Sequence, residues 1–163
     1  MKKITLIAVF LVSVTAATQL HAFGAGLQIN YSAGGIFAPG AAIVVSPSDS
    51  TSIAANWFFG SDKNIIGLTM DINVLALPIV SFGAGTFNFT LGAGVFSNFT
   101  FIKKEVEIGL GIRVPAGFNL LLMRDFLEIY IHVAPSFGLS FIPNLEVSRP
   151  FFPMALGVKV WIR

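Results

Sequence analysis

The amino-acid sequence predicts an all-β protein, an eight-stranded antiparallel up-and-down transmembrane β-barrel behind a cleaved export signal. Three observations carry this expectation. Residues 106–141 alternate apolar and polar side chains, turn at Arg124-Asp125 and alternate back. The 163-residue chain is 55% hydrophobic and only 11% charged, with mean hydropathy +0.81. It opens on a short basic segment followed by an apolar run.

The long alternation fixes the strongest element. Val106, Ile108, Leu110, Ile112 and Val114 share one parity, and Glu107, Gly109, Gly111, Arg113 and Pro115 the other. Beyond the turn, Leu127, Ile129, Ile131 and Val133 alternate with Glu128, Tyr130, His132 and Ala134. Side chains of a strand point to opposite faces with period 2, so the segment reads as a hairpin with one oily and one polar face. With Arg124-Asp125 as a two-residue loop, the numbers of paired residues sum to 249. Gly117 then faces His132, Asn119 faces Tyr130 and Arg113 faces Ser136. A slip of one residue would turn the oily set to the wrong side.

The opening residues Met1-Lys2-Lys3, the apolar run Ile4 to about Ala17 and the segment ending at Ala22 have the three parts of a secretory signal peptide. Cleavage after Ala22 leaves a barrel domain at 23–163. A retained anchor is the alternative, but the run is shorter than the ~20 residues a spanning helix needs. Lys2 and Lys3 leave with the signal, so the ten Lys and Arg fall to eight and balance the eight Asp and Glu. The pI of about 9.2 therefore gives no basic stripe for nucleic acid. With no cysteine there is no disulfide framework and no thiol chemistry. A soluble domain carries about 25% charged residues, so the excess apolar surface here needs a cover outside the chain's own core, and outer-membrane lipid supplies it.

The strands follow in order. The first is about Gly24–Ala33, the second Gly40–Ser46, the third Thr51–Phe59, with turn residues Pro47-Ser48-Asp49-Ser50 between the last two. The fourth is Ile65 to about Leu75, followed by a connection containing Pro78. The fifth is about Phe82–Val95 and precedes a loop from Phe96 to Glu105. The hairpin gives the sixth and seventh, Ile142–Pro153 is a loop, and Met154–Ile162 is the eighth. A helical span over Ile72–Ile102 is the rival, opposed by Pro78, the flanking glycines and polar Asn73, Thr86, Asn88 and Thr90 at period 2. Alternating segments of about ten residues separated by turns mark a transmembrane barrel. Closure is required because hydrocarbon offers no partner to an unpaired N–H or C=O. An even strand count puts both termini in the periplasm, and the outer loops become Gly34–Pro39, Gly60–Asn64, Phe96–Glu105 and Ile142–Pro153. The last two carry Phe and Lys or Arg that an extracellular ligand could meet.

No set of residues suggests catalysis, a metal or a cofactor, so an enzyme is not expected. The polar parity gives a lumen set of Gln28, Asn30, Asn56, Thr69, Asp71, Asn73, Asn88, Thr90, Arg113, Asn119, Glu128, Tyr130, His132 and Lys159. Asp71, Arg113, Glu128, Tyr130, His132 and Lys159 form the candidate network, because buried charges persist when paired and hydrogen-bonded. Arg113, Glu128 and His132 are read either as a charged constriction or relay, or as polar filling of a narrow interior. Gly67, Gly92, Gly94, Gly109, Gly111, Gly138 and Gly157 share that parity and either line a ligand cavity or let the strands coil tightly. Trp57, Phe58, Phe59, Phe96, Phe99, Phe101, Phe151, Phe152 and Trp161 lie near turns and are expected in interfacial girdles.

The last strand, Met154 to Arg163, has Gly157, Val160 and Ile162 where the C-terminal signal of outer-membrane barrels has Gly and two hydrophobics, although it ends in Arg163 and not an aromatic. That resemblance implies recognition by the barrel-assembly machinery. As a whole, 23–163 resembles the small eight-stranded outer-membrane barrels, the size class of the OmpA transmembrane domain and OmpW. The block Gly109–Asn119, with Phe126–Tyr130 and Ala134-Pro135, is similar to a hairpin of spirochaetal members of that class. The resemblance implies a bacterial outer-membrane location and no catalytic residue. Three functions stay open: a structural or surface-binding barrel with a filled lumen, a narrow channel for small or apolar solutes, and a soluble lipocalin-like ligand-binding barrel.

Overall fold

A computed structural model of the chain describes residues 22–33, 39–59, 64–102, 105–142, 145–148 and 150–163. The expected signal segment up to His21, and loop residues 34–38, 60–63, 103–104, 143–144 and 149, lie outside them. Eight antiparallel strands close on themselves. They are β1 (Phe23–Ala33), β2 (Gly40–Ser48), β3 (Thr51–Phe59), β4 (Asn64–Phe82) and β5 (Gly85–Ile102), then two interrupted strands and β8 (Phe152–Ile162). β6 has the stretches Glu105–Arg113 and Ala116–Leu122; β7 has Leu127–Val133 and Ser136–Ile142. Each strand pairs with its sequence neighbours, and β1 pairs with β8 to seal the wall.

The expected hairpin register holds. From Gly109 to Leu122, β6–β7 partners sum to 249 on both sides of the interruption. Met123, Arg124 and Asp125 all have positive φ, 54°, 57° and 65°, so the reversal between Leu122 and Leu127 is made by three consecutive residues in the left-handed region. Register also fixes the stagger. From Phe151 the cross-strand neighbours run Ser136, Arg113, Gly94, Asp71 and Ser52, pass to Ser46 through adjacent hydroxyls, and continue to Gly24 and Trp161. One circuit thus returns to β8 ten residues further along, from 151 to 161. A staggered eight-stranded barrel has an interior just wide enough for side chains to fill.

The chain departs from the sequence expectation in extent. Pro78 lies inside β4, paired with Asn88, rather than in a connection. The β3 ladder ends at Ile72, so residues 73–82 have β5 as their one sheet neighbour, and an edge strand accommodates a proline. Phe82 closes β4 opposite Gly85 and does not begin β5. Phe96–Ile102 is not a loop: it continues β5 against both β4 and β6, because its inward Asn98 and Thr100 alternate with outward Phe99 and Phe101. β8 starts at Phe152, two residues early, and Glu146–Val147 lies along Ser140 and Leu139 of β7.

The sorting of faces follows parity. Leu27, Ile43, Ile66, Leu68, Ile112, Ile131 and Val158 are exposed outward, while Gln28, Asn56, Asp71, Arg113, Glu128 and Lys159 are buried inward. A soluble protein hides the first set and exposes the second, so this distribution is inverted. Apolar packing inside includes a cluster of small residues, Ala42, Val44 and Ala54, and the buried Phe58, Phe96 and Phe151.

Candidate functional site

The candidate site is the lumen, and glycine determines who meets whom in it. Asp71, Gly94 and Arg113 are consecutive neighbours on β4, β5 and β6. Because residue 94 has no side chain, Arg113 Nε reaches across it to Asp71 Oδ1 at 3.1 Å, both groups almost wholly buried. A Cβ at Gly94 would collide with that carboxylate oxygen. Gln28, Gly157 and Tyr130 repeat the arrangement on β1, β8 and β7, and the Tyr130 hydroxyl donates to Gln28 Oε1 at 2.7 Å over the glycine. Gln28 Nε2 donates to Asn30 Oδ1 at 2.8 Å, and Asn30 Nδ2 to Asn56 Oδ1 at 2.9 Å.

A second charged pair sits nearer the end bearing the two termini. Lys159 and Glu128 are direct cross-strand partners, Nζ to Oε2 3.0 Å. Asn119 Nδ2 donates to Glu128 Oε1 at 2.9 Å and Trp161 Nε1 to Oε2 at 2.7 Å, so both carboxylate oxygens are occupied. Lys159 also lies 4.9 Å from the centre of the Tyr130 ring and 5.0 Å from that of Trp161, a cation–π arrangement. Between the two pairs, Arg113 Nη2 is 3.2 Å from His132 Nε2. Arginine offers donors alone, so that ring nitrogen accepts. His132 stacks on Tyr130 with ring centres 5.8 Å apart. All six residues of the candidate network thus share one chain of contacts, and Asn73 of the wider lumen set is instead exposed at the rim.

Of the nine aromatics expected in the girdles, four lie inside the barrel instead. Phe58, Phe96, Phe151 and Trp161 are buried inside, while Trp57, Phe59, Phe99, Phe101 and Phe152 do face outward. The Phe96 ring lies over Gly111 and Gly138, its neighbours on β6 and β7, and meets Phe151 edge-on at 5.4 Å. Parity was the available signal: Phe96 is in step with Gly92 and Gly94, and Trp161 with Gly157 and Lys159. The space over Gly67, Gly94, Gly111, Gly138 and Gly157 is therefore taken by side chains of their neighbours, whereas Gly109 has no side chain over it. Among the described residues, the middle of the lumen keeps a cavity of about 30 Å³ beside Phe96, His132 and Phe151 and one of about 50 Å³ beside Asp71, Glu128 and Tyr130, each with room for a few waters. At the end bearing the termini it widens into an open recess of about 360 Å³ lined by Asn88, Thr90, Asn119 and Glu128. Among the described residues no three His, Cys, Asp or Glu side chains come together to hold a metal ion.

No protein-family model matches the chain, and no curated protein matches it. Solved structures similar to it include two outer-membrane proteins' barrels, by fold alone. The crystal structure of the N-terminal β-barrel domain of Pseudomonas aeruginosa OprF has a TM-score of 0.46 at 9% identity, covering 86% of this chain and 97% of that one. The crystal structure of Ail, the attachment invasion locus protein of Yersinia pestis, has a TM-score of 0.39 at 10% identity, with the same coverage of each chain.

Proposed function

We propose that this chain is an outer-membrane β-barrel whose lumen is filled by its own side chains, serving the envelope as a structural wall element or a surface-binding protein rather than as a channel or an enzyme. One observation carries the reading: the outward parity is apolar around the barrel while the inward parity is polar, charged and packed. Exposed Leu, Ile, Val and Phe on every strand would drive a soluble barrel to aggregate, whereas acyl chains cover them, and closure of β1 on β8 pairs each strand with two neighbours. The lipocalin-like alternative needs a polar exterior, and the outward parity here is apolar. The channel alternative needs a path through the middle of the lumen, where the cavities among the described residues are about 30 and 50 Å³.

Export through a signal cleaved after Ala22 and assembly through the β8 signal belong to the same reading. So do binding of an extracellular ligand at the loops around residues 103–104 and 143–149, and both termini in the periplasm. Two experiments test it. Carbonate washing should leave the protein in the membrane fraction, and release into the supernatant would favour the soluble barrel. Planar bilayers containing the refolded protein should show no discrete current steps, and reproducible steps would favour the channel.

A further inference from the structure

Pro115, Pro135 and Pro153 stand on neighbouring strands in one hydrogen-bond row, and each supplies half a rung. The amide of Gly92 donates to Pro115 O at 2.7 Å, that of Val114 to Pro135 O at 3.0 Å, and that of Ala134 to Pro153 O at 2.8 Å. A proline has no N–H to return. The next rung shows the contrast, because Ser136 and Phe151 exchange both bonds, at 2.9 and 3.2 Å. One carbonyl is repaired locally: the Ser136 hydroxyl donates to Ala134 O at 2.7 Å, the acceptor that Pro153 cannot serve. Beyond Gly92 the row reaches the β4 bulge at Val74, and Asn73 ties it to Ser50 in the β2–β3 turn. In the other direction Pro153 meets Ser32 near the far end of β1. The weakened row thus winds through the wall from one rim to the other. It separates the two stretches of β6 and the two stretches of β7. Arg113 on one side of it and His132 on the other make the 3.2 Å contact described above.

We propose that this row is a hinge line. The stretches Glu105–Arg113 and Ser136–Ile142 open locally as one unit while Ala116–Leu122 and Leu127–Val133 remain paired, and the Arg113–His132 contact is the latch between them. The middle of the lumen, around Arg113 and His132, then gains a route through the wall. Free energies of local opening differ between cooperative units of one protein, and a unit bounded by half-rungs opens first.

Amide hydrogen exchange by NMR, on the chain refolded in dodecylphosphocholine micelles, tests this, with heat-modifiable gel migration confirming that each variant is folded. Val106–Arg113 and Phe137–Phe141 should exchange at a common rate about tenfold faster than Gly117–Leu122 and Glu128–Ile131. Pro115→Ala with Pro135→Ala returns two donors and should narrow that gap severalfold. If the double variant fails the gel test, Pro135→Ala alone, read at Val114, decides the same point. His132→Ala should widen the gap, and His132→Gln, which keeps an acceptor, should restore it. Equal rates in the two halves, or a gap indifferent to the returned donors, would overturn the hinge. A gap that His132→Ala leaves unchanged would overturn the latch.

Discussion

The two buried ion pairs of the lumen have similar exposure and opposite quality. Glu128 and Lys159 are adjacent across a ladder, and the carboxylate also accepts from Asn119 and Trp161. Asp71 and Arg113 are two strands apart and meet over Gly94, and Asp71 Oδ1 and Arg113 Nε, 3.1 Å apart, are not aligned for a hydrogen bond with each other or with another group. Side-chain exposure is 8% and 12% for Arg113 and Asp71 and 8% and 7% for Lys159 and Glu128. Burial alone therefore does not rank them. A buried charge is held by the completeness of its hydrogen bonds, and breaking one partner costs more than removing both. The better-bonded, tighter half of the charged network thus lies near the termini, and the looser half beside the proline row.

Substitutions in each pair measure that contrast. Glu128→Ala should be the most damaging, because it strands Lys159 and leaves the Asn119 and Trp161 donors unpaired. A loss of about 3–5 kcal/mol is expected in urea unfolding from lipid vesicles. Arg113→Leu strands Asp71 and should cost about 3 kcal/mol. Adding Asp71→Asn to it should recover most of that loss, since the pair itself contributes little aligned bonding. If the double variant is no better than the single, the looser half is in truth as well made as the tighter one. Gly94→Ala keeps every charge and tests the spacing alone. The new methyl group collides with the carboxylate, and overpacking of this kind costs about 1–3 kcal/mol. Arg163→Ala should have the smallest effect. Its bonds to Asp49 and Asp125 tie two turns together at 2.8 and 2.9 Å, but the groups are more than a third exposed and solvent screens them, so about 0.5 kcal/mol or less is expected in the same measurement.

Much of this was legible in the sequence because one face of every strand is apolar, which fixes parity and therefore register. The β6–β7 hairpin follows residue for residue from that rule and from its turn. The lower pair was legible in principle too, since Glu128 and Lys159 share the inward parity of strands that must be neighbours. Strand ends were not legible. Pro78 reads as a break because propensity is blind to an absent third strand, and Phe96–Ile102 reads as a loop because aromatics near a polar run suggest a rim. The Asp71–Arg113 contact was out of reach for a different reason. It depends on the relative stagger of β4, β5 and β6, which places Gly94 between the two charges, and no single segment carries that information.

If the oily parity touches acyl chains while the polar parity packs inward, spin labels at Ile112, Phe89 and Val158 in lipid vesicles should be strongly relaxed by lipid-soluble oxygen and little by an aqueous nickel chelate at all three positions. Labels open to the chelate and indifferent to oxygen would contradict it.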